Sequence, residues 1–219
     1  MRLFRILLLG LGLTAILVAA SYTWVDRPVS YFVHDKFAGV RIFVDLTRIP
    51  EIVSVCAGAV FVVAALYVLM WHAVGRFSSV LVLCTISIAM STLIKDQLKF
   101  IFGRTWPETW VNNNPSLIHD GVFGFNFFTG GRAYSAFPSG HTTTVCTVAA
   151  VLWIALPRYR PLWAAIAVLV AIGLIGANYH FVSDVIAGAF VGISTGSAIV
   201  LLWDARSPAV AIIERRKSS

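Results

Sequence analysis

The stretch from Leu162 to Trp203 reads LWAAIAVLVAIGLIGANYHFVSDVIAGAFVGISTGSAIVLLW. Its two apolar runs, residues 162–179 and 185–203, flank a short turn that contains charged and polar side chains. Each run approaches the ~20 residues with which a helix crosses the ~30 Å hydrocarbon core of a bilayer. In lipid only helices or closed barrels satisfy the backbone, and no strand-like alternation is present. The stretch therefore predicts two membrane-spanning helices joined by a turn.

The composition of the whole chain supports a lipid environment. Of its 219 residues, 58% are hydrophobic and 12% are charged, and the mean hydropathy is +0.84. A soluble domain is typically about 45–50% apolar and about 25% charged, so a soluble globular enzyme is excluded. Disordered, collagen-like and disulfide-rich secreted proteins are excluded by the same composition.

Six apolar stretches predict the architecture. They cover about residues 4–25, 52–73, 77–94, 139–156, 162–179 and 185–203. We expect an all-α integral membrane protein in which residues 1–219 form a single domain, a six-transmembrane helix bundle. Aromatic and charged residues between the first two spans, Val29–Pro50, predict a short helix in the outer interface. Gly188, Gly192 and Gly196 are four residues apart, which predicts close packing of the last span against a neighbouring helix.

The distribution of charge predicts the orientation of the bundle. With the N-terminus in the cytoplasm, the inner segments carry nine basic and two acidic residues, whereas the outer segments carry eight of each. The net charge of +7 therefore falls on one side, as the positive-inside rule expects. We expect a bacterial inner-membrane protein with cytoplasmic termini. The first span is expected to remain as an anchor, with a cleavable signal peptide ending at Val18-Ala19-Ala20-Ser21 as the alternative.

Polar side chains from three separate segments fall at the predicted outer, periplasmic face. They are Lys95, Lys99 and Arg104 at the end of the third span, Ser139, Gly140 and His141 at the start of the fourth, and His180 and Asp184 around the turn between the fifth and sixth. Ionisable residues are costly near a bilayer unless they are paired or functional. Their convergence on one face predicts a functional site.

The residue types in these clusters suit phosphoryl transfer. Ser139 can cap a helix whose free N–H groups bind an anion, with His141 in the first turn of that helix. His180 and Asp184 are four residues apart, the spacing at which side chains meet on one helical face. The carboxylate can then fix the imidazole tautomer and leave the other nitrogen as a nucleophile or base. A phosphate would be held by the helix N-terminus and the neighbouring cations.

Other interpretations of these residues are open. Lys95 and Lys99 form a cationic face beside the site, but lysines at a span end can also snorkel to the water boundary. His141, His180 and Asp184 could supply three ligands to a metal ion, although the nearby cations suit an anion better. The three cysteines lie in apolar runs without metal-ligand spacing and are expected to be inert. We predict no metal and no cofactor, and no nucleic-acid-binding motif is present.

These residues resemble the motifs of the type 2 phosphatidic acid phosphatase superfamily, the membrane relatives of the vanadium haloperoxidases. Those motifs read K-x6-R-P, P-S-G-H and S-R-x5-H-x3-D. Residues 138–141 match the second motif completely, Lys99 and Pro107 match the ends of the first, and His180 and Asp184 match the end of the third. The motif order and the six-span layout are also similar, so the resemblance covers nearly the whole chain.

The resemblance implies roles for individual residues. His180 would be the nucleophile that forms a phosphohistidine, Asp184 would orient it, and His141 would protonate the leaving oxygen, without a metal. The groups that would hold the phosphate are Lys99, Ser139 and the backbone of Gly140. The implied activity is hydrolysis of a lipid phosphate monoester or pyrophosphate. Undecaprenyl pyrophosphate, phosphatidylglycerol phosphate, phosphatidic acid and the lipid A phosphates are candidate substrates.

Departures from the motifs concern phosphate binding. Trp106 stands at the arginine position of the first motif, and a Gly-Leu pair at 173–174 stands at the Ser-Arg positions of the third. Fixed cations beside a transferring phosphoryl group supply much of the catalysis. We therefore expect other cations to take over phosphate binding: Arg104 first, then Arg132, with Lys95 as additional positive charge.

Two alternatives to a phosphatase are compatible with the same fold. In each of them the partners are also a lipid phosphate and the membrane lipids. One is a phosphotransferase, in which an acceptor hydroxyl rather than water attacks the phosphohistidine. The other is a lipid-binding or transport protein without turnover.

The long outer loop between spans three and four, Gly103–Phe137, is rich in aromatic residues. We expect these rings to anchor in the headgroup region or to gate the site.

Overall fold

The computed structural model of this chain describes residues 2–52, 55, 59, 62–63, 76–110 and 113–206. In this part of the chain the regular secondary structure consists of eight α-helices and two 3-10 turns, with no extended strand. The α-helices are α1 (Arg2–Trp24), α2 (Asp26–Phe37), α3 (Arg41–Thr47), α4 (Arg76–Phe102), α5 (Leu117–Asp120), α6 (Gly140–Ala155), α7 (Arg160–Gly176) and α8 (Val182–Arg206), and the 3-10 turns are Arg132–Tyr134 and Pro157–Tyr159. The all-α prediction is confirmed.

Among the described residues, four segments are long and apolar enough to cross a membrane. They are Leu3–Trp24, Ser78–Phe102, Pro157–Gly176 and Val182–Ala205, and they correspond to the first, third, fifth and sixth predicted spans. The fourth predicted span corresponds to α6, a shorter apolar helix. The second predicted span, residues 52–73, lies almost entirely outside the described residues.

Two boundaries differ from the sequence prediction. α4 continues through Lys95 and Lys99 to Phe102, beyond the predicted end at residue 94. The polar residues therefore lie on an uninterrupted helix instead of starting the outer loop. The interfacial segment forms two helices, α2 and α3, where one was expected. Gly39, with φ +78°, lies between them and allows the chain to change direction.

The close packing predicted for the last span is confirmed, and α6 is the neighbouring helix. A Cβ atom added to Gly188 or Gly196 would lie 2.5 or 2.6 Å from the carbonyl oxygens of Ser139 and Thr147, respectively. Contacts this short are impossible for real side chains, so the two backbones approach as closely as glycine permits. This contact fixes the start of α6, which carries the P-S-G-H motif, against the start of α8.

The Gly-Leu pair at 173–174 is explained by the packing of α7. A Cβ on Gly173 would lie 2.6 Å from the Cβ of Leu46 on α3, so no larger residue fits there. Leu174 is fully buried. The buried apolar cluster to which Leu174 belongs also contains Val145, Cys146, Val170 and Val185. Both positions serve helix packing.

The outer loop between Gly103 and Phe137 is folded against the helix ends. Gly103 has φ +53°, and a Cβ there would overlap the backbone of the opposite loop segment, so this turn requires glycine. Phe125 packs edge to face on the buried Phe137, with ring centroids 5.4 Å apart. Phe127 and Phe128 are exposed, as expected of rings that anchor in a headgroup region.

Candidate active site

A cavity of about 510 Å³ opens where the three predicted polar clusters meet. Its walls come from α4, the start of α6, the turn between α7 and α8, and the outer loop. The lining includes Glu51, Lys95, Lys99, Trp106, Trp110, Gly140, His141, Tyr179 and His180. The structure thus brings five of the predicted site residues to one cavity, namely Lys95, Lys99, Gly140, His141 and His180.

His180 lies in the turn between α7 and α8, with only 4% of its surface exposed. Its backbone N–H lies 3.4 Å from the carbonyl oxygen of Leu174, and its Nδ1 lies 3.4 Å from Asp184 Oδ2. Burial lowers the pKa of His180 to about 4, because desolvation outweighs the opposing effect of Asp184. The imidazole is therefore neutral at pH 7. With Nδ1–H directed at the carboxylate, the lone pair is on Nε2.

Asp184 is fully buried in the first turn of α8, and its carboxylate is held from three directions. Oδ2 accepts the backbone N–H of Phe181 at 3.0 Å in addition to facing His180. Oδ1 accepts from Arg104 at 2.5 Å. The carbonyl oxygen of Asp184 accepts the backbone N–H of Ser139 at 3.0 Å, which joins the second and third motifs. A carboxylate with this many partners has one orientation, and it holds the His180 ring in one orientation as well.

Arg104, which the sequence predicts to bind the phosphate, is not among the residues that line the cavity. Its side chain is 0% exposed and lies behind Asp184, away from the cavity lining. One terminal nitrogen donates to Asp184 Oδ1 and to Ser183 Oγ, each at 2.5 Å, and the other donates to Asp26 Oδ2 at 2.7 Å. The guanidinium is further enclosed by the rings of Tyr22, Phe123, Phe125 and Phe181. The planar guanidinium of Arg104 can donate hydrogen bonds to two carboxylates at once. Asp26 and Asp184 therefore hold it away from the cavity in which a phosphate would bind.

Asp26, at the start of α2, is a site residue that the sequence does not single out. It is fully buried and accepts hydrogen bonds from Arg104, from Ser21 Oγ at 2.9 Å, and from the Ser183 backbone N–H at 3.0 Å and its hydroxyl at 2.5 Å. The sequence offers one indication of its importance, since Asp26 is an acidic residue directly after the first predicted span, residues 4–25. Its partners lie up to 157 residues away in the chain, so no local pattern could identify them.

Lys99 and Lys95 supply the positive charge of the cavity. Lys99 Nζ donates to the carbonyl oxygen of Ser135 and lies 5.7 Å from the centroid of the Trp106 ring. Lys95 Nζ pairs with Asp96 at 2.5 Å, and its aliphatic chain runs along Gly140, where an added Cβ would come within 3.3 Å of it. Both ammonium groups lie on the side of α4 that faces the cavity.

His141 and Ser139 occupy opposite sides of the α6 N-terminus. The His141 side chain is about one-third exposed, and its Nε2 lies 3.7 Å from a carboxylate oxygen of Glu51. The ring centroids of His141 and His180 are 6.5 Å apart, and both rings line the cavity. Ser139 is the N-cap and accepts from the backbone N–H of Thr142 at 3.4 Å. Its hydroxyl is buried and does not line the cavity, so direct phosphate contact from Ser139 is not part of this arrangement.

A profile of the PAP2 superfamily matches residues 79–208, more than half of the chain. The chain belongs to the PAP2 superfamily. Lipid A 1-phosphatases from Rhizobium etli and Rhizobium johnstonii are each 36% identical to this PAP2 chain over 107 residues, which is 48% of it. The match covers 43% of the first relative and 41% of the second. The chain therefore matches less than half the length of these relatives.

The likeness in fold extends over nearly the whole PAP2 chain. The crystal structure of a transmembrane PAP2-type phosphatidylglycerolphosphate phosphatase from Bacillus subtilis matches it with a TM-score of 0.61. The match covers 92% of this chain and 96% of that one, at 19% sequence identity. At this identity the likeness shows the fold alone. Together with the apolar helices, it establishes an integral membrane protein.

Trp106 replaces the PAP2 first-motif arginine and lines the cavity itself. Its ring centroid is 5.1 Å from that of His180, and its Nε1 donates to the carbonyl oxygen of Arg132 at 2.9 Å. The Arg132 side chain is exposed and is not part of the cavity lining. The prediction that this guanidinium replaces a PAP2 arginine is therefore not supported by its position, since only its backbone reaches the site.

The three residues considered as metal ligands are separated in the PAP2 site. Asp184 is behind His180 and bound to Arg104, whereas His141 is across the cavity and beside Glu51. Within the described part of the chain, no three His, Cys, Asp or Glu side chains come together as a metal site. Cys84 and Cys146 are free thiols, and Cys56 lies outside the described residues.

Proposed function

We propose that this PAP2 protein is a lipid-phosphate phosphatase that works through a phosphohistidine on His180. The observation that carries the proposal is a buried imidazole whose Nδ1 faces a fixed carboxylate and whose ring borders a cavity lined by two lysines. The family membership and the lipid A 1-phosphatase relatives support the same class of reaction. Metal-independent hydrolysis at His180 is thus the function that best fits these residues.

The first half-reaction forms a bond between His180 Nε2 and phosphorus. The Nε2 lone pair attacks the phosphorus atom, the bond to the ester oxygen breaks, and the leaving oxygen takes a proton from His141. Asp184 accepts from Nδ1–H throughout and stabilises the positive charge that develops on the ring. The lipid alcohol leaves, and the phosphoryl group stays on His180.

The second half-reaction restores the enzyme. Water attacks phosphorus and gives a proton to the now neutral His141, while the electron pair of the P–N bond returns to Nε2. Inorganic phosphate is released, and His141 is protonated again for the next turnover. Because the nucleophile must carry a free lone pair, the low pKa of His180 keeps it active at neutral pH.

The phosphoryl oxygens would be held by Lys99, Lys95 and the free N–H groups at the start of α6, including that of Gly140. This set has no arginine, and Trp106 occupies the place of one. Fixed charges and N–H dipoles aimed at the equatorial oxygens lower the barrier of phosphoryl transfer. Arg104 and Asp26 do not contact the substrate in this proposal. They act as positioning residues that hold the carboxylate of Asp184.

The orientation and the extent of the domain also belong to the proposal. We place the site at the periplasmic face of a bacterial inner membrane, with six spans, cytoplasmic termini and a single domain over residues 1–219. The excess of basic residues in the inner segments supports this orientation. The long segments of α1, α4, α7 and α8 account for four of the six spans.

Phosphate release by the purified protein in detergent tests the proposed function. The panel is lipid A 1-phosphate, phosphatidylglycerol phosphate, phosphatidic acid and undecaprenyl pyrophosphate, each with and without EDTA. We expect release from at least one lipid, unchanged by EDTA and absent in His180→Ala. His119→Ala is the matched control, since His119 is exposed on α5 beside Asp120. Loss of activity in EDTA with recovery on adding Zn²⁺, or full activity in His180→Ala, would overturn the mechanism.

A further inference from the structure

The turn that carries His180 contains a residue with an unusual backbone conformation. α7 ends at Gly176, and Asn178 follows with the left-handed value φ +54°. After it the chain folds back, so that the backbone N–H groups of Tyr179 and His180 lie 2.9 and 3.4 Å from the carbonyl oxygen of Leu174. A left-handed residue after a helix end permits this reversal, and asparagine is one of the few residues besides glycine that adopt it readily. The conformation of Asn178 therefore sets the direction in which the chain reaches His180.

The side chain of Asn178 is buried and uses both of its amide hydrogens. Only 4% of the residue is exposed. Its Nδ2 donates to the carbonyl oxygen of Ser30 at 3.1 Å and to Glu108 Oε1 at 3.1 Å. A carbonyl oxygen and a carboxylate oxygen can only accept, so the NH₂ group of the amide must face them. A buried amide without such partners is costly, and the two bonds therefore fix the side chain together with the turn.

Glu108 connects this turn to two other segments. It lies two residues after Trp106, whose ring centroid is 5.1 Å from that of His180. The Oε1 atom that accepts from the turn also lies 2.7 Å from His34 Nδ1 on α2. Ser30 is four residues before His34 and lies on the same face of α2. The start of the outer loop, α2 and the turn before the candidate nucleophile are thus joined by one set of hydrogen bonds.

The position of His180 depends closely on the position of this turn. Its Nδ1 lies 3.4 Å from Asp184 Oδ2, which is near the upper limit for a hydrogen bond. Asp184 is held separately by Arg104 and by the backbone N–H of Phe181, so it cannot follow a displaced ring. A shift of a few tenths of an ångström in the turn would break the contact. The imidazole would then lose its fixed tautomer.

We propose that Asn178 and Glu108 are positioning residues, which hold the turn so that His180 Nδ1 faces Asp184 and Nε2 faces the cavity. The inference rests on the proposed function of His180 and assigns a task to two residues that the motifs do not specify. Neither side chain lines the active-site cavity. Their loss should therefore slow the attack of His180 on phosphorus and leave phosphate binding unchanged.

Rapid-quench kinetics with excess, saturating enzyme test this separation, because the rate constant of phosphohistidine formation does not depend on the fraction of protein that is folded. Asn178→Gly keeps the left-handed backbone and removes both side-chain bonds, so we expect this rate constant to fall about 10²-fold, as for a misplaced reacting group. The inhibition constant of inorganic phosphate should stay within about twofold, well below that effect. Asn113→Gly is the matched control, since Asn113 also has a left-handed backbone, φ +53°, but is exposed in the outer loop.

Glu108 variants test whether the two residues act together. Glu108→Ala should lower the rate constant about tenfold, the effect of one lost hydrogen bond to a charged group. Glu108→Gln keeps an oxygen that accepts from Asn178, so it should lose clearly less. The double variant Asn178→Gly/Glu108→Ala should resemble Asn178→Gly within about twofold, because both substitutions remove the same bond. Multiplied losses in the double variant, or equal losses in Glu108→Gln and Glu108→Ala, would contradict the inference.

The tautomer of His180 supplies a readout that needs no substrate. In ¹⁵N-histidine spectra we expect one neutral tautomer, protonated on Nδ1, in the wild type and in Asn113→Gly, and a mixture of tautomers in Asn178→Gly and Glu108→Ala. An unchanged tautomer in both variants, or a weaker inhibition by phosphate that accounts for the whole kinetic loss, would overturn the positioning role. A wild type that forms no phosphohistidine would count against the proposed function, and the spectra would still decide the role of Asn178.

Discussion

The two sides of Asp184 use positive charge differently. On the cavity side, the cations near His180 are lysines that reach the space where a phosphate would lie. On the buried side, an arginine is enclosed among Asp26, Asp184 and aromatic rings. The flexible lysine ammonium groups face the cavity, and the planar guanidinium of Arg104 binds the protein's own carboxylates. The position of a cation near a motif therefore does not reveal its role, whereas its buried partners do.

The largest effect is expected from removing the cation on the buried side. Arg104→Ala leaves two buried carboxylates facing each other, so the free energy of unfolding should fall by about 3–5 kcal/mol. Thermal unfolding in detergent measures this, with Arg160→Ala as the control because Arg160 is exposed near Trp153 at the opposite end of α6. Normal stability combined with a large rise in KM would contradict the positioning role and restore a phosphate-binding one.

A large effect on turnover, without a comparable loss of stability, is expected on the cavity side. Lys99→Met keeps the length of the side chain and removes its charge, so kcat/KM should fall about 10²–10³-fold, as for loss of one donor to a developing oxyanion. Steady-state kinetics and thermal unfolding on the same preparation separate the two effects. Lys36→Met, on the exposed face of α2, should be unchanged. If Lys99→Met loses less than threefold, Lys99 does not hold the phosphate.

A smaller effect is expected for Asp26→Asn, which keeps the shape of the side chain but removes its charge. Arg104 would then interact more strongly with Asp184 and draw it away from His180, so kcat/KM should fall roughly tenfold, the cost of one charged hydrogen bond. KM should change little, because Asp26 does not reach the cavity. Asp35→Asn, exposed on the same helix, is the control. A change confined to KM would show that Asp26 does not act through Asp184.

The smallest effect concerns the proton affinity of His180. Its pKa is lowered to about 4 by burial, so the imidazole should gain a proton only as the pH falls through this value. Removing the negative charge of Asp26 should lower the pKa of His180 further. NMR titration of ¹⁵N-histidine-labelled protein in micelles measures the pKa of His180 in the wild type and in Asp26→Asn. The His180→Gln variant assigns the signal. A midpoint near 6.5, the ordinary value for histidine, would contradict the buried environment.

The sequence predicts those parts of the site that depend on short-range geometry. The four-residue spacing of His180 and Asp184, the cap at Ser139 and the glycines of α8 are each encoded within a few residues, and the structure has the corresponding contacts. The predicted end of this span at residue 94 is too early, because charged residues resemble a loop start even when the helix continues.

The role of Arg104 could not be predicted because its partners come from distant segments. Asp26 is 78 residues earlier in the chain and Asp184 is 80 residues later. Only the packing of α8 beside the outer loop and α2 brings the three together. Trp106 illustrates the same point, since the loss of a motif arginine is visible in the sequence but its contact with His180 is not.

Chemical trapping of the phosphorylated enzyme tests the role of His180 most directly. Rapid quenching of the purified protein during turnover of a ³²P-labelled lipid phosphate, followed by peptide mapping, locates any covalent phosphate. We expect label on His180 that is stable in alkali and lost in acid, present in His119→Ala and absent in His180→Ala. Turnover without labelled protein, or label that persists in His180→Ala, would contradict the phosphohistidine mechanism.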